Sequence, residues 1–201
     1  MATMTTQLDA VPHRNAGREK VVAAAIDLFA ERGVSGTSLQ MIADRLGVTK
    51  AAVYYHFKAK RDIVLAVVRP VIAELDAVIE SAERERSQAV RTETLLAGLV
   101  DLMVSSRRLY AILEGDLAVG EILASDPGVS TLGERIVEVL LGPDPDPGQI
   151  VAAHIFLAGL KGIGQGITEG IADDDLRTHV LDCAHKLLRR RRQPLTRTTL
   201  P

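Results

Sequence analysis

Two short stretches of helical periodicity meet at a single glycine. From Thr37 or Ser38 through Arg45, the apolar residues Leu39, Ile42, Ala43 and Leu46 recur at helical spacing. Gly47 supplies the turn, and Thr49 can cap a further short helix that carries Val53, Tyr54, Tyr55, His56 and Phe57. Ahead of this pair, Arg18 to Arg32 forms an apolar stripe of Val21, Val22, Ala25, Ile26, Leu28 and Phe29 that stops at Gly33. Tyr54, Tyr55 and His56 are costly to display on a solvated helix without a partner, and a duplex groove suits them.

The rest of the chain repeats the helical period. Asp62 to about Arg84 reads as a long helix, with Pro70 inside it predicting a kink. Further periods run over Val90 to Glu114, Leu117 to Ala124, Val129 to Leu141, Gln149 to Glu169 and Asp173 to Arg191, with no alternating strand pattern between them. The expected class is all-α with about nine helices. The segment GPDPDPG, residues 142 to 148, reads as a loop because closely spaced prolines cannot continue a helix. The expected division is an N-terminal tail over 1–13, a helix-turn-helix head over 14–61, a helical body over 62–192 and a tail over 193–201. The longest uncharged stretch, Pro147 to Leu160, is shorter than the roughly 18 residues that suggest a membrane span, so no membrane partner is expected. Residues 1 to 13 carry no secretory pattern, and Cys183 stands alone, which together predict a cytoplasmic protein.

The formal net charge of −2 argues against a nucleic-acid binder only until its distribution is considered. From Arg14 to Arg61 roughly nine Lys and Arg stand against four acids, about five positive charges net. Asp62 to His185 is about −12, and the tail from Lys186 restores about six positives. Attraction to phosphate is therefore concentrated in the head. Enzyme chemistry lacks its parts. The five histidines, His13, His56, His154, His179 and His185, show no metal spacing with carboxylates, no phosphate-cradling glycine loop follows a strand, and Cys183 has no evident base. Asp173, Asp174 and Asp175 resemble a metal cluster but fit the first turn of a helix, where the dipole favours negative charge. No metal and no cofactor are expected.

The string GTSLQMIADRLGVTKAAVYYHFKAKRDI, residues 36 to 63, and within it GVTK, Val53-Tyr54, His56-Phe57 and Lys60, resembles the TetR family of bacterial transcriptional regulators. The resemblance covers about a quarter to a third of the chain; the remainder agrees only in helix count and length. It implies a three-helix DNA-binding head on a helical effector-binding and dimerisation body. The implied partners are double-stranded DNA carrying an inverted-repeat operator, a second copy of the chain, and a small-molecule effector. By the same resemblance Thr49, Lys50, Ala51, Ala52, Tyr54, Tyr55 and His56 lie on or near the groove. The Tyr54 hydroxyl and Lys60 hold phosphates, while Thr37, Ser38 and Gln40 approach the backbone or a base. Phe57, Leu46 and Val53 are assigned to the head's core.

Only Tyr110 and Phe156 among the aromatics lie outside the head, so an effector pocket is lined by aliphatic residues and suits a largely apolar ligand. The resemblance puts Leu95, Leu99, Met103, Arg107, Tyr110, Leu113 and His154 among its candidates, each of which also reads as ordinary core packing. Arg107 and Arg108 read as solvated. The small residues between Gln149 and Glu169 suit close approach of another helix. Ala152, Phe156, Gly159 and Gly162, with Leu176, Val180, Cys183 and Leu187, are thus expected at an intersubunit bundle, the alternative being a seam within one subunit. The functional expectation is a sequence-specific transcriptional repressor released by its effector; the rival is a ligand-blind constitutive or architectural DNA-binding protein.

Three positions depart from the family's pattern. Ala52 stands where Thr is frequent, Lys58 where Pro is frequent and Arg61 where an acid is common. Lys58 and Arg61 add cations at the phosphate-facing edge, which steepens the salt dependence of binding. Lys58→Pro is accordingly expected to flatten the slope of operator affinity against salt concentration, measured by titrating salt in a gel-retardation assay; an unchanged slope contradicts the assignment.

Overall fold

The computed structural model describes residues 10–113, 116–164, 168 and 170–188. In chain order the helices are α1 (Ala10–Arg32), α2 (Leu39–Leu46), α3 (Lys50–His56), α4 (Lys60–Glu83) and α5 (Gln88–Ser105). They continue as α6 (Arg107–Leu113), α7 (Leu117–Ala124), α8 (Pro127–Leu141), α9 (Pro147–Lys161) and α10 (Asp173–Leu188). Among the described residues there is no strand, and no helix is long and apolar enough to cross a membrane.

Most helix boundaries follow from caps. The Ser38 hydroxyl accepts from the Met41 amide, and Gly47 closes α2 in the left-handed region (φ 65°) with its N–H on the carbonyls of Ala43 and Asp44. Thr49 caps α3 by accepting from Ala52 N–H, and Phe57 ends it in extended backbone. Asp146 and Gln149 cap α9 reciprocally.

Several boundaries differ from expectation, each for a local reason. α1 begins at Ala10, ahead of Arg14. The single helix expected from Val90 to Glu114 is two, separated at Ser106, beside the Ser105 hydroxyl that bonds back to Leu102 O. The loop expected over 142 to 148 ends early because Pro147 occupies the first turn of α9, where its missing N–H costs nothing. The helix expected to reach Glu169 stops at Lys161 and tightens into a 3-10 turn over Gly162–Gly164, where glycines weaken the α-helix. α4 runs continuously through Pro70. Of the tail expected over 1–13, residues 10–13 belong to α1, while residues 1–9, the tail expected over 193–201 and the Arg189 to Arg192 run lie outside the described residues.

Burial divides into two hydrophobic clusters. The first joins Val21, Leu28 and Phe29 of α1, Ile42 of α2, Val53 of α3, Phe57, and Ile63, Val64 and Val67 of α4, and it is closed from the body side by Leu113 and Val119. The second gathers Ile79 of α4, Leu95, Leu96 and Leu99 of α5, Ile136 and Val139 of α8, Phe156 of α9 and Leu176 of α10. Ile72 of α4 packs against both. The cluster of the head therefore extends past residue 62 into the first turns of α4, which is a single rod shared by the two cores. At its far end, Arg135 of α8 bonds Asp76 at 2.6 Å and Glu83 at 2.8 Å, fastening α4 to α8.

Leu95 is fully buried in the second cluster. Leu95→Ala is expected to lower unfolding free energy by about 2–5 kcal/mol, read as a shifted midpoint in urea with the slope unchanged.

Candidate nucleic-acid interface

A seven-residue helix shows two faces, and α3 uses them oppositely. Val53 is fully buried and Phe57 is 2% exposed, so the helix is fixed against the head by residues four apart. The same register turns Lys50, Ala51, Ala52, Tyr54 and Tyr55 outward, with Tyr54 40% and Tyr55 60% exposed. The Lys50 ammonium lies 5.7 Å from the Tyr54 ring centroid, a cation–π pair that keeps both on one side of the helix. His56 is half-buried, its ring edge-on to Tyr55 at 5.2 Å. Lys58 donates to Tyr54 O at 3.0 Å, satisfying a carbonyl at the C-terminal end of α3 while remaining exposed.

Around this face the side chains of two expected DNA contacts bond within the protein. Thr37 is 3% exposed and its hydroxyl donates to Gly33 O at 2.8 Å and Leu28 O at 3.3 Å. It therefore closes the α1–α2 turn instead of reaching a duplex. Lys60 Nζ donates to the carbonyls of Val34 (2.8 Å), Thr37 (3.0 Å) and Ser35 (3.4 Å), so its ammonium lies against the same turn. Ser38 and Gln40 are exposed, the first as the cap of α2 and the second bonded to Asp44 at 2.7 Å.

What the sequence did not disclose is the other hand on that turn. Asp116, the cap of α7, accepts from both the Ser35 amide and the Ser35 hydroxyl, contacts between residues 81 apart in the chain. The Ser35 hydroxyl and amide, with Ala118 N–H, hold the Asp116 carboxyl below the usual aspartate range. The turn itself is tight: a Cβ at Gly36 would stand 2.3 Å from Arg32 O. On the opposite side of the head Arg45 of α2 grips Glu31 of α1 through both carboxylate oxygens, at 2.9 and 2.8 Å, which lowers the Glu31 carboxyl.

In the body, the expected effector residues separate. Leu95, Leu99 and Met103 are packed in the second core, and Tyr110 is half-buried against it. Leu113 belongs to the head's cluster. Arg107, read as solvated, instead pairs with Asp173 at 3.0 Å and donates to Ile171 O at 3.2 Å, where it ties α6 to the start of α10. His154 faces outward on α9 with Nδ1 2.9 Å from Ile150 O. A recess of about 470 Å³ lies between α5 and α10, bounded by Glu93, Leu96, Asp182 and His185 among others, and none of the seven residues lines it.

The expected seam also rotates. Phe156 and Leu176 are buried within the chain, because each packs into the second core. Ala152, Gly162 and Val180 are half-buried, and Gly159, Cys183 and Leu187 are exposed. The outward apolar face of α9 is carried by Ile150, Val151 and Ile155, the last two each one position ahead of an expected residue. No group of His, Cys, Asp or Glu that could hold a metal occurs among the described residues.

This geometry defines a helix-turn-helix protein: a short outward-facing helix aimed by a small core, on an all-helical body. Residues 21–67 match the family described as bacterial regulatory proteins, tetR family. The chain is 41% identical over 51 residues to the HTH-type transcriptional regulator SrpR of Pseudomonas putida, covering 25% of this chain and 24% of that protein. It is 43% identical over 54 residues to a tetracycline repressor protein, class A, of Escherichia coli, covering 27% and 25%. The chain thus matches only about a quarter of the length of these curated relatives. A bacterial regulatory protein in the tetR family from Rhodococcus RHA1 shares the fold over 86% of this chain and 95% of its own, with TM-score 0.65 at 19% identity. The head, over residues 21–67, thus carries the domain shared by bacterial regulatory proteins of the tetR family.

The lowered Asp116 carboxyl stabilises the fold above its unfolded-state value, and that contribution disappears as pH falls through the folded one. Asp116→Asn is therefore expected to remove part of the fall in melting temperature seen on acidifying below about pH 5, measured by thermal melts of both chains across that range; parallel curves would refute it.

Proposed function

We propose that the protein is a sequence-specific transcriptional regulator that binds an inverted-repeat operator as a homodimer, inserting one α3 from each subunit into successive major grooves. The observation that carries the reading is the outward face of α3: Lys50, Ala51, Ala52, Tyr54 and Tyr55 are all exposed on a helix whose opposite side is locked into a core. Lys50 has the reach for a base edge or phosphate, Ala51 and Ala52 suit thymine methyls, and the tyrosine hydroxyls suit phosphates. Thr49, Ser38 and Gln40 flank that face, and His56 supports it.

Dimerisation is assigned to the exposed apolar face of α9 with the exposed Leu187 and Cys183 of α10. Ile150, Val151 and Ile155 are 40%, 58% and 54% exposed, and a second copy would remove them from water.

The regulator acts as a repressor released by a small, largely apolar effector. Leu95, Leu99, Met103 and Tyr110 form the candidate wall, which must part to admit it, and Met103 is the most adaptable of them. Coupling between effector and operator of about 1–3 kcal/mol weakens operator binding about five- to 150-fold, and the operator weakens effector binding by the same factor. The tight burial of Leu95, Leu99 and Met103 favours one rival, a ligand-blind DNA-binding protein.

The purified chain is expected to retain genomic duplexes that share one inverted repeat, with the mass of two chains per repeat. Small molecules screened for release of that duplex should yield one whose affinity drops, in the presence of DNA, by the factor it imposes on the operator. Failure to retain any duplex at low salt refutes DNA binding, unequal factors refute the coupling, and protection of long tracts without a repeat establishes the rival.

A further inference from the structure

We propose that Gly17 is a positioning residue for α3, acting through His56; the proposal rests on the reading of α3 as the element that enters DNA. Gly17 lies well inside α1, where glycine is a poorer helix former than alanine, so its presence there calls for a compensating contact. That contact is the His56 ring. A Cβ on residue 17 would stand 2.7 Å from His56 Nε2 and 3.0 Å from Cε1, so the imidazole edge lies directly against the backbone of α1. The next residue repeats the arrangement: the Arg18 guanidinium stands 4.8 Å over the centroid of Phe57. Two consecutive residues of α1 therefore receive the last residue of α3 and its C-terminal cap.

The seat fixes rotation. Val53 and Phe57 hold α3 against the core along one line, and a helix held along one line can still roll about it. His56 against Gly17 provides a contact off that line, and His56 in turn meets the Tyr55 ring edge-on. A methyl group at position 17 pushes the imidazole away, and the displacement passes to Tyr55 and to the angle at which Tyr54 and Lys50 are presented. The hydrophobic core is untouched, since neither Gly17 nor His56 belongs to it.

Helix propensity and operator binding should therefore move in opposite directions, which a merely structural glycine would not produce. The probe is a duplex enriched by the parent protein from a random-sequence pool, with Kd read by gel retardation and melting temperature by circular dichroism. Gly17→Ala is expected to melt at or above the parental temperature yet bind this duplex about tenfold more weakly. In a His56→Ala background the same Gly17→Ala change should alter Kd by less than about twofold, because no ring remains to be displaced. For a Gly17→Ala protein that folds, parental affinity overturns the proposal, as does an equal loss in both backgrounds or a loss that tracks a fall in melting temperature. Should Gly17→Ala unfold, recovery of helical signal and of single-variant His56→Ala affinity in the double variant supports the seat, and continued unfolding overturns it. A parent protein that enriches no duplex defeats the DNA-binding reading itself, and the seat with it, a result distinct from any difference among variants.

Discussion

Helix α3 has seven residues, too few to persist in water on its own hydrogen bonds. It exists because Val53 and Phe57 are removed from solvent against α1, α2 and α4, and everything displayed on its other side depends on that burial. The requirement runs backward through the head. Thr37, Lys60 and Asp116 converge on the turn that delivers α2, the Arg45–Glu31 pair closes α2 onto α1, and the paired caps at Ser38 and Thr49 set where each short helix begins. None of these groups lies on the outward face of α3, yet each removes a freedom that would blur the position of Tyr54 and Tyr55.

The turn between α1 and α2 is held from two directions, once from the head's own edge and once from the body. Lys60, the first residue of α4, takes its carbonyls, and Asp116, the cap of α7, takes the Ser35 amide and hydroxyl. The head's core is itself completed by Leu113 and Val119 from α6 and α7. Head and body are therefore not beads on a string. A shift of α7 relative to α4 pulls directly on the loop that positions α2.

Much of this was legible in the chain. The Gly47 turn, the caps at Ser38 and Thr49, and the burial of Val53 and Phe57 follow from local sequence, because caps and helical stripes act over a few residues. The Leu117–Ala124 helix was read to the residue. Local sequence is least informative where a tertiary partner decides the contact. Thr37 and Lys60 carry side chains suited to phosphate, yet carbonyls of the same turn claimed them; Arg107 found Asp173, which a local reading could not supply. On α9 the small residues suggested a seam, but a helix has several faces, and Phe156 was drawn into the chain's own core while Ile155 was left outside. Asp116 and Ser35, far apart in sequence, gave no signal of their contact.

The unbroken course of α4 through both cores has a mechanical meaning. Twenty-four residues at the helical rise make a rod about 36 Å long. A tilt of only about 5° at the end clamped by Arg135 sweeps the Lys60 end through about 3 Å, close to the 3.4 Å or so between successive bases on one DNA strand. Such a lever would need no unfolding and no large rearrangement: on the proposed DNA-binding reading, a change small enough to be absorbed by side chains at one end would amount, at the other, to about one base step of alignment.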